Sequence, residues 1–118
     1  THIRRIAPDG NCFFRAVAFW LTGSEAQHER MRHFIVSEMQ RYRLPTTGPN
    51  MDQTGVWGGT DEMQAVANIF SVDVFVYTLL GPNPVWHVHR SRHSRSTHAI
   101  YLEHENRNHF NVAHIMKA

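Results

Sequence analysis

The single cysteine of the chain, Cys12, follows directly on Asp9-Gly10-Asn11 and heads an almost wholly apolar run that ends at Leu21. Such a run suits a helix buried on nearly all sides, with Gly23 as its C-cap. A thiol in the first turn of a buried helix has a chemical use, because the first-turn N–H groups and the helix dipole favour thiolate over thiol. An ordinary cysteine, with a pKa of about 8.5, is only a few per cent ionised at neutral pH; lowering it by ~3 units would stabilise the anion by ~4 kcal/mol. A proton acceptor is then needed. His109 opens a strand-like run near the other end of the chain, and Asn111 projects from the same face because strand side chains alternate. Asn111 can hold the imidazole toward Cys12, giving a Cys-His-Asn arrangement for nucleophilic catalysis. The N–H groups of Gly10, Asn11 and Cys12 sit in a tight loop that can face a developing oxyanion. The same residues also admit an inert reading, since a lone buried Cys often only packs and ten histidines put some imidazole near any thiol.

The elements that must position these groups follow from patterning. Ile3 to Ile6 reads as an edge strand and Pro8 to Asn11 as a turn. Ser24 and Gln27 form a capping box for a second helix. There Met31, Phe34, Ile35, Met39 and Tyr42 recur at helical spacing, with Glu25, Glu29, Arg30, Arg32 and Arg41 on the other face. Pro45 to Gly59, with two prolines and four glycines, is a loop. Thr60 then caps a third helix with Asp61 and Glu62 in its first turn and Met63, Val66, Ala67 and Phe70 as its apolar face. Val72 to Leu80 is β-branched and aromatic, Gly81 to Pro84 a turn, and strand-like runs follow at 85–88, 99–103 and 110–115. Three helices ahead of a group of strands define an α+β class, with a mainly antiparallel sheet packed against helices.

Composition sets the outer bounds. With 118 residues, 42% hydrophobic and 19% charged, the chain reads as one domain over residues 1–118 with a core that needs no disulfide or structural metal. One cysteine excludes an internal disulfide and favours the cytoplasm or another reducing compartment. No run approaches the ~20 apolar residues of a membrane span. The chain begins at Thr1, which reads as a domain excised from a longer protein. The net charge of +2 is mild, and the basic stretch Arg90-Ser-Arg-His-Ser-Arg95 reads as a solvated connection in preference to a nucleic-acid patch. His87 and His89 share one strand face as two metal ligands might, but no third ligand is placed, so no metal is expected.

Three motifs carry a resemblance to a known family. Asp9-Gly10-Asn11-Cys12-Phe13-Phe14-Arg15-Ala16 resembles the nucleophile motif of the ovarian-tumour (OTU) family of cysteine deubiquitinases. Trp57-Gly58-Gly59-Thr60-Asp61-Glu62-Met63-Gln64-Ala65 resembles its middle motif, and His109-Phe110-Asn111-Val112 its histidine motif. They occur in family order and span nearly the whole chain; Phe110 stands where a Tyr is more usual.

The resemblance implies a papain-like fold and a cofactor-free isopeptidase. Cys12 is then the nucleophile, His109 the general base, Asn111 the orienting residue and Asp9 an acid beside the oxyanion loop. The implied partner is ubiquitin, a polyubiquitin chain or a ubiquitin-like modifier, acted on by a monomer. Trp57 beside Gly58 and Gly59 makes a wall next to backbone without side chains, a groove suited to a tail of consecutive glycines. Asp52, Asp61 and Glu62 around it are candidates to attract the basic ubiquitin tail. Two other classes remain: a ubiquitin-binding module without turnover, and a nucleic-acid-binding domain using the Arg90 to Arg95 stretch.

Overall fold

The computed structural model describes residues 2–80, 83–92, 98–105 and 109–114. Strand β1 (His2–Arg4) leads into helix α1 (Cys12–Thr22), a 3₁₀ turn (Glu25–Gln27), α2 (His28–Arg41) and α3 (Thr60–Phe70). Strands β2 (Asp73–Leu80), β3 (Asn83–His89), β4 (Ala99–Glu105) and β5 (His109–His114) follow. The strands form one sheet in the order β1-β5-β4-β2-β3. The class is α+β as expected.

The sheet is mixed, however, because β2 and β4 run parallel while the other three pairings are antiparallel. After the β2–β3 hairpin the chain reverses once more and crosses to the far side of β2, which leaves β4 pointing along β2. Asp73 ties down both ends of that connection: its carboxylate accepts from Arg90 Nη1 at 3.1 Å and Ser91 N–H at 3.0 Å, and its own N–H donates to the His98 carbonyl at 3.1 Å. Arg90 is therefore engaged on the protein itself, and the 93–97 part of the Arg90 to Arg95 stretch lies outside the described residues. So do 81–82 of the anticipated turn; Asn83 and Pro84 belong to β3.

One face of the sheet builds the core. Val74, Val76, Ile100, Leu102, Phe110 and Val112 pack with Phe13, Phe14 and Val17 of α1, Ile35 and Met39 of α2, and Val66 of α3. Helix α1 matches its sequence reading: six of its residues are buried, and Gly23 in the left-handed region (φ 80) closes it with an N–H bond to the Phe19 carbonyl. Helix α2 departs from its reading. Its buried set is Arg32, Ile35, Val36 and Met39, which is helical spacing with an arginine as first member, while Phe34 and Tyr42 are exposed. The Phe34 ring leans on Phe70 of α3 at 5.9 Å, so its apolar contact lies at the rim of the core. Ser24 caps the 3₁₀ turn by accepting from Ala26 N–H, and α2 starts only at His28. The N-cap of α3 is Gly59, one residue before Thr60.

Candidate active site

Helix α1 and strand β5 bring the two halves of the candidate site together. Cys12 is the first residue of α1 and has no exposed surface; His109 is the first residue of β5 and is also buried. The Phe110 N–H donates to Cys12 Sγ at 3.4 Å, which places the thiol beside the His109–Phe110 peptide, 98 positions away in the chain. Phe110 retains the aromatic body expected there, its ring edge-on to Phe13 at 5.7 Å and stacked on His104 at 4.7 Å. His109 Nε2 lies within hydrogen-bond distance of Asn111 Oδ1, at 2.8 Å, while Nδ1 is buried without a hydrogen-bond partner. One ring nitrogen is thus held by the strand, and the other is uncommitted.

The thiol's environment differs from the expectation drawn from its position. Burial pushes the Cys12 thiol up from its ordinary value and the charge of Asp9 adds to this, while the N–H groups of Phe110, Phe13 and Cys12 itself pull the other way. The helix start alone does not make the thiolate dominant, because a sulfur with no exposed surface loses its hydration.

Asp9 is engaged within its own loop. Its carboxylate accepts from the Asn11 N–H at 3.0 Å and forms an ion pair with Arg15 at 3.1 Å, and its carbonyl accepts from the Cys12 N–H at 3.2 Å. Burial opposes this charge, but Arg15 and the Asn11 N–H hold the carboxyl below its ordinary value. Two of the three amides expected to face an oxyanion are therefore turned onto Asp9 in an Asx-type turn, leaving that of Gly10. Gly10 has no room for a side chain: a Cβ there would collide with the Gly55 carbonyl.

The expected substrate-side residues divide. Trp57 is partly exposed, and Asp52 and Asp61 are exposed. Glu62 is fully buried, with its two oxygens accepting from Thr47 N–H at 2.9 Å and Gly59 N–H at 2.7 Å. It fastens the loop to α3 and is not available to a substrate tail, because a carboxylate at the third helical position reaches back to the N-cap amide. Gly58 and Gly59 are small for packing reasons. A Cβ on Gly58 would lie 2.8 Å from the Phe13 ring, and one on Gly59 2.7 Å from the Thr47 methyl. This close approach sets the Trp57 segment against the start of α1, next to Cys12.

Two residues bearing on the site were not anticipated. Arg32 is buried under the Cys12 loop, and its guanidinium donates to the carbonyls of Gly10, Met51 and Val56 and to Asn11 Oδ1, at 2.8–3.1 Å. It also lies over the Phe14 ring at 4.1 Å. Glu103 on β4 accepts from Asn111 Nδ2 at 3.0 Å. The only sequence signal for Arg32 is its three-residue spacing from Ile35; for Glu103 it is strand register. No cluster of three or more metal-binding side chains occurs among the described residues, and no helix there is long and apolar enough to cross a membrane.

Comparison with known proteins identifies the family. A family model described as "OTU-like cysteine protease" matches residues 7–114, and the chain belongs to that family. Among curated proteins it is similar to OVARIAN TUMOR DOMAIN-containing deubiquitinating enzyme 7 of Arabidopsis thaliana, at 29% identity over 121 residues, covering 92% of this chain and 32% of that protein. It is also similar to enzyme 6 of the same series from that plant, at 28% identity over 119 residues, covering 92% of this chain and 23% of that protein. The chain thus spans less than a third of the length of these relatives. Among solved structures it shares its fold with the OTUD1 OTU domain (TM-score 0.80, 22% identity, covering 94% of this chain and 83% of that one). It also shares its fold with the Hazara virus OTU bound to ubiquitin (TM-score 0.75, 19% identity, covering 99% and 82%).

Proposed function

We propose that the chain is a thiol isopeptidase that hydrolyses the bond between the C-terminal glycine of ubiquitin, or of a ubiquitin-like modifier, and a lysine amine. The observation that carries this reading is the 3.4 Å contact from Phe110 N–H to Cys12 Sγ, with the His109–Asn111 pair beside it. His109 Nδ1 takes the thiol proton and the sulfur adds to the glycine carbonyl. The protonated imidazole then gives its proton to the lysine nitrogen as the C–N bond breaks, leaving a ubiquitin thioester. Water deprotonated by His109 adds to that carbonyl, and the C–S bond breaks to release the ubiquitin carboxylate and the thiol. The Asn111 side-chain oxygen keeps the ring in register and, as a hydrogen-bond acceptor, turns its dipole toward the ring when it is protonated.

The test is a ubiquitin probe carrying a C-terminal electrophile. An assembled thiol site forms a covalent adduct, whereas a binding module without turnover binds and does not react; absence of an adduct would overturn the reading. Asn111→Ala should slow turnover less than His109→Ala, because the imidazole remains present though poorly aimed. Single-turnover cleavage of a fluorogenic ubiquitin conjugate measures both, and equal losses would show that Asn111 does more than orient.

Specificity follows from surface. A stable interface with folded ubiquitin takes about 800 Å² per partner, much of what so small a domain can offer around the Trp57 segment. Little remains to read a second ubiquitin, so several chain linkages should be cut with less than about hundredfold discrimination, and Trp57→Ala should raise KM more than it lowers kcat. A panel of defined diubiquitins checks the first; one linkage cut more than about hundredfold faster than every other would contradict it.

A further inference from the structure

Asn111 has no exposed surface, and both ends of its amide meet partners of fixed polarity. Its Oδ1 accepts from the Ile6 N–H at 2.8 Å, a group that can only donate. Its Nδ2 donates to Glu103 Oε1 at 3.0 Å, and an ionised carboxylate can only accept. Glu103 reaches it because β4 and β5 pair with these two residues directly opposite. With both ends fixed, the atom facing His109 Nε2 is an oxygen, so Nε2 carries the ring proton and the buried, partnerless Nδ1 is left as the base. Arg5 borders this group, 3.7 Å from Glu103 and 3.1 Å from Glu105; Glu105 in turn lies 4.0 Å from His109 Nε2.

We propose that Glu103 is a positioning residue: it locks the Asn111 amide, through it sets the tautomer of His109, and thereby requires an amide rather than a carboxylate at position 111. The inference rests on the reading of Cys12, His109 and Asn111 as the reacting set. An Asp at 111 would turn a carboxylate oxygen onto Glu103 Oε1 at hydrogen-bond distance, where two like charges disfavour joint ionisation and one of them takes up a proton. A Gln at 103 removes that conflict, because its amide N–H₂ can donate to the carboxylate introduced at 111 while the other oxygen of that carboxylate still accepts from Ile6 and His109.

The experiment is a substitution cycle read by kcat/KM on a fluorogenic ubiquitin conjugate, with circular dichroism melts of every variant. N111D should lose about 100-fold, in the range of outer partners that orient an imidazole. E103Q alone should lose less than about tenfold, since its carbonyl can still accept from Asn111, and E103Q/N111D should recover to within about tenfold of the parent. A residue that only supports the strand predicts a double variant no better than N111D. The second readout is ¹⁵N NMR of the His109 ring: Nε2–H in the parent, with a growing share of Nδ1–H in E103A. Parent-like activity of N111D, no recovery in the double variant, or an Nδ1–H tautomer in the parent overturns the proposal. Should the parent neither cleave nor label, the isopeptidase reading fails, while the NMR tautomer still decides whether Glu103 sets the imidazole.

Discussion

Replacing Cys12 by Ala should abolish covalent capture by the ubiquitin probe and lower cleavage of a ubiquitin conjugate by about 10⁴-fold or more, the scale on which removal of a triad nucleophile acts. The loss is this large because Cys12 is the chain's only cysteine, so no neighbouring thiol can substitute. Cys12→Ser should fail as well: a hydroxyl holds its proton far more tightly than a thiol, and the Phe110 N–H is placed on a sulfur. The fold should survive Cys12→Ala. Only one buried sulfur is removed, a large-to-small change at the mild end of core truncations, about 1–2 kcal/mol. Melting followed by circular dichroism separates the two effects, and residual cleavage within about tenfold of the parent in a folded variant would remove Cys12 from the nucleophile's role.

The same chemistry shows how far a sequence can be read. Cys12, His109 and Asn111 are legible because each stands at a boundary that local patterning marks: the start of an apolar run closed by Gly23, and the start of an alternating strand. Their meeting in space is not local, and the three motifs in family order supply that step. Charged side chains are where the reading goes astray. Periodicity assigns Arg32 to the wet face of α2 and Glu62 to a solvent-facing first turn, because Arg and Glu are rarely buried unless paired. Both are buried, and both spend their charge on backbone amides or carbonyls of the loop between α2 and α3, a segment whose path no helix or strand pattern predicts. Glu103 is hidden for a different reason. Its partner is set by the β4–β5 register, which is fixed only once β5 has been inserted between β1 and β4. The parallel pairing of β2 with β4 is likewise a matter of the route taken after β3, and strand-like composition carries no direction.

Arg32→Ala should be the most destabilising single change in the neighbourhood of the site, by about 3–5 kcal/mol, as expected when one side of a buried charged network is removed. The guanidinium satisfies three carbonyls and the Asn11 amide oxygen and covers the Phe14 ring, so its loss opens a void, takes the donor from three carbonyls at once and leaves Asn11 Oδ1 with the Gly55 N–H alone. Burial works against this cation, and the charges of Asp9, Glu62 and Glu29 work for it. Arg32→Met tests which term dominates. It refills much of the volume without restoring a donor, so it should recover only part of the loss; near-complete recovery would mean that packing, and not the carbonyl clamp, is what Arg32 supplies. Arg32→Lys keeps the charge but brings a compact ammonium in place of the planar fork that spans from Met51 and Val56 to Gly10 and Asn11. It should fold and yet label slowly with the ubiquitin probe, because the Gly10 carbonyl then loses its guanidinium donor and Asn11 is held in the loop only by the Gly55 N–H, from which its side chain accepts at 2.7 Å. Denaturant melts of the three variants alongside probe-labelling rates read stability and loop order separately. An Arg32→Ala protein within about 1 kcal/mol of the parent, labelling at the parent's rate, would show that the Cys12 loop holds its shape without the buried arginine.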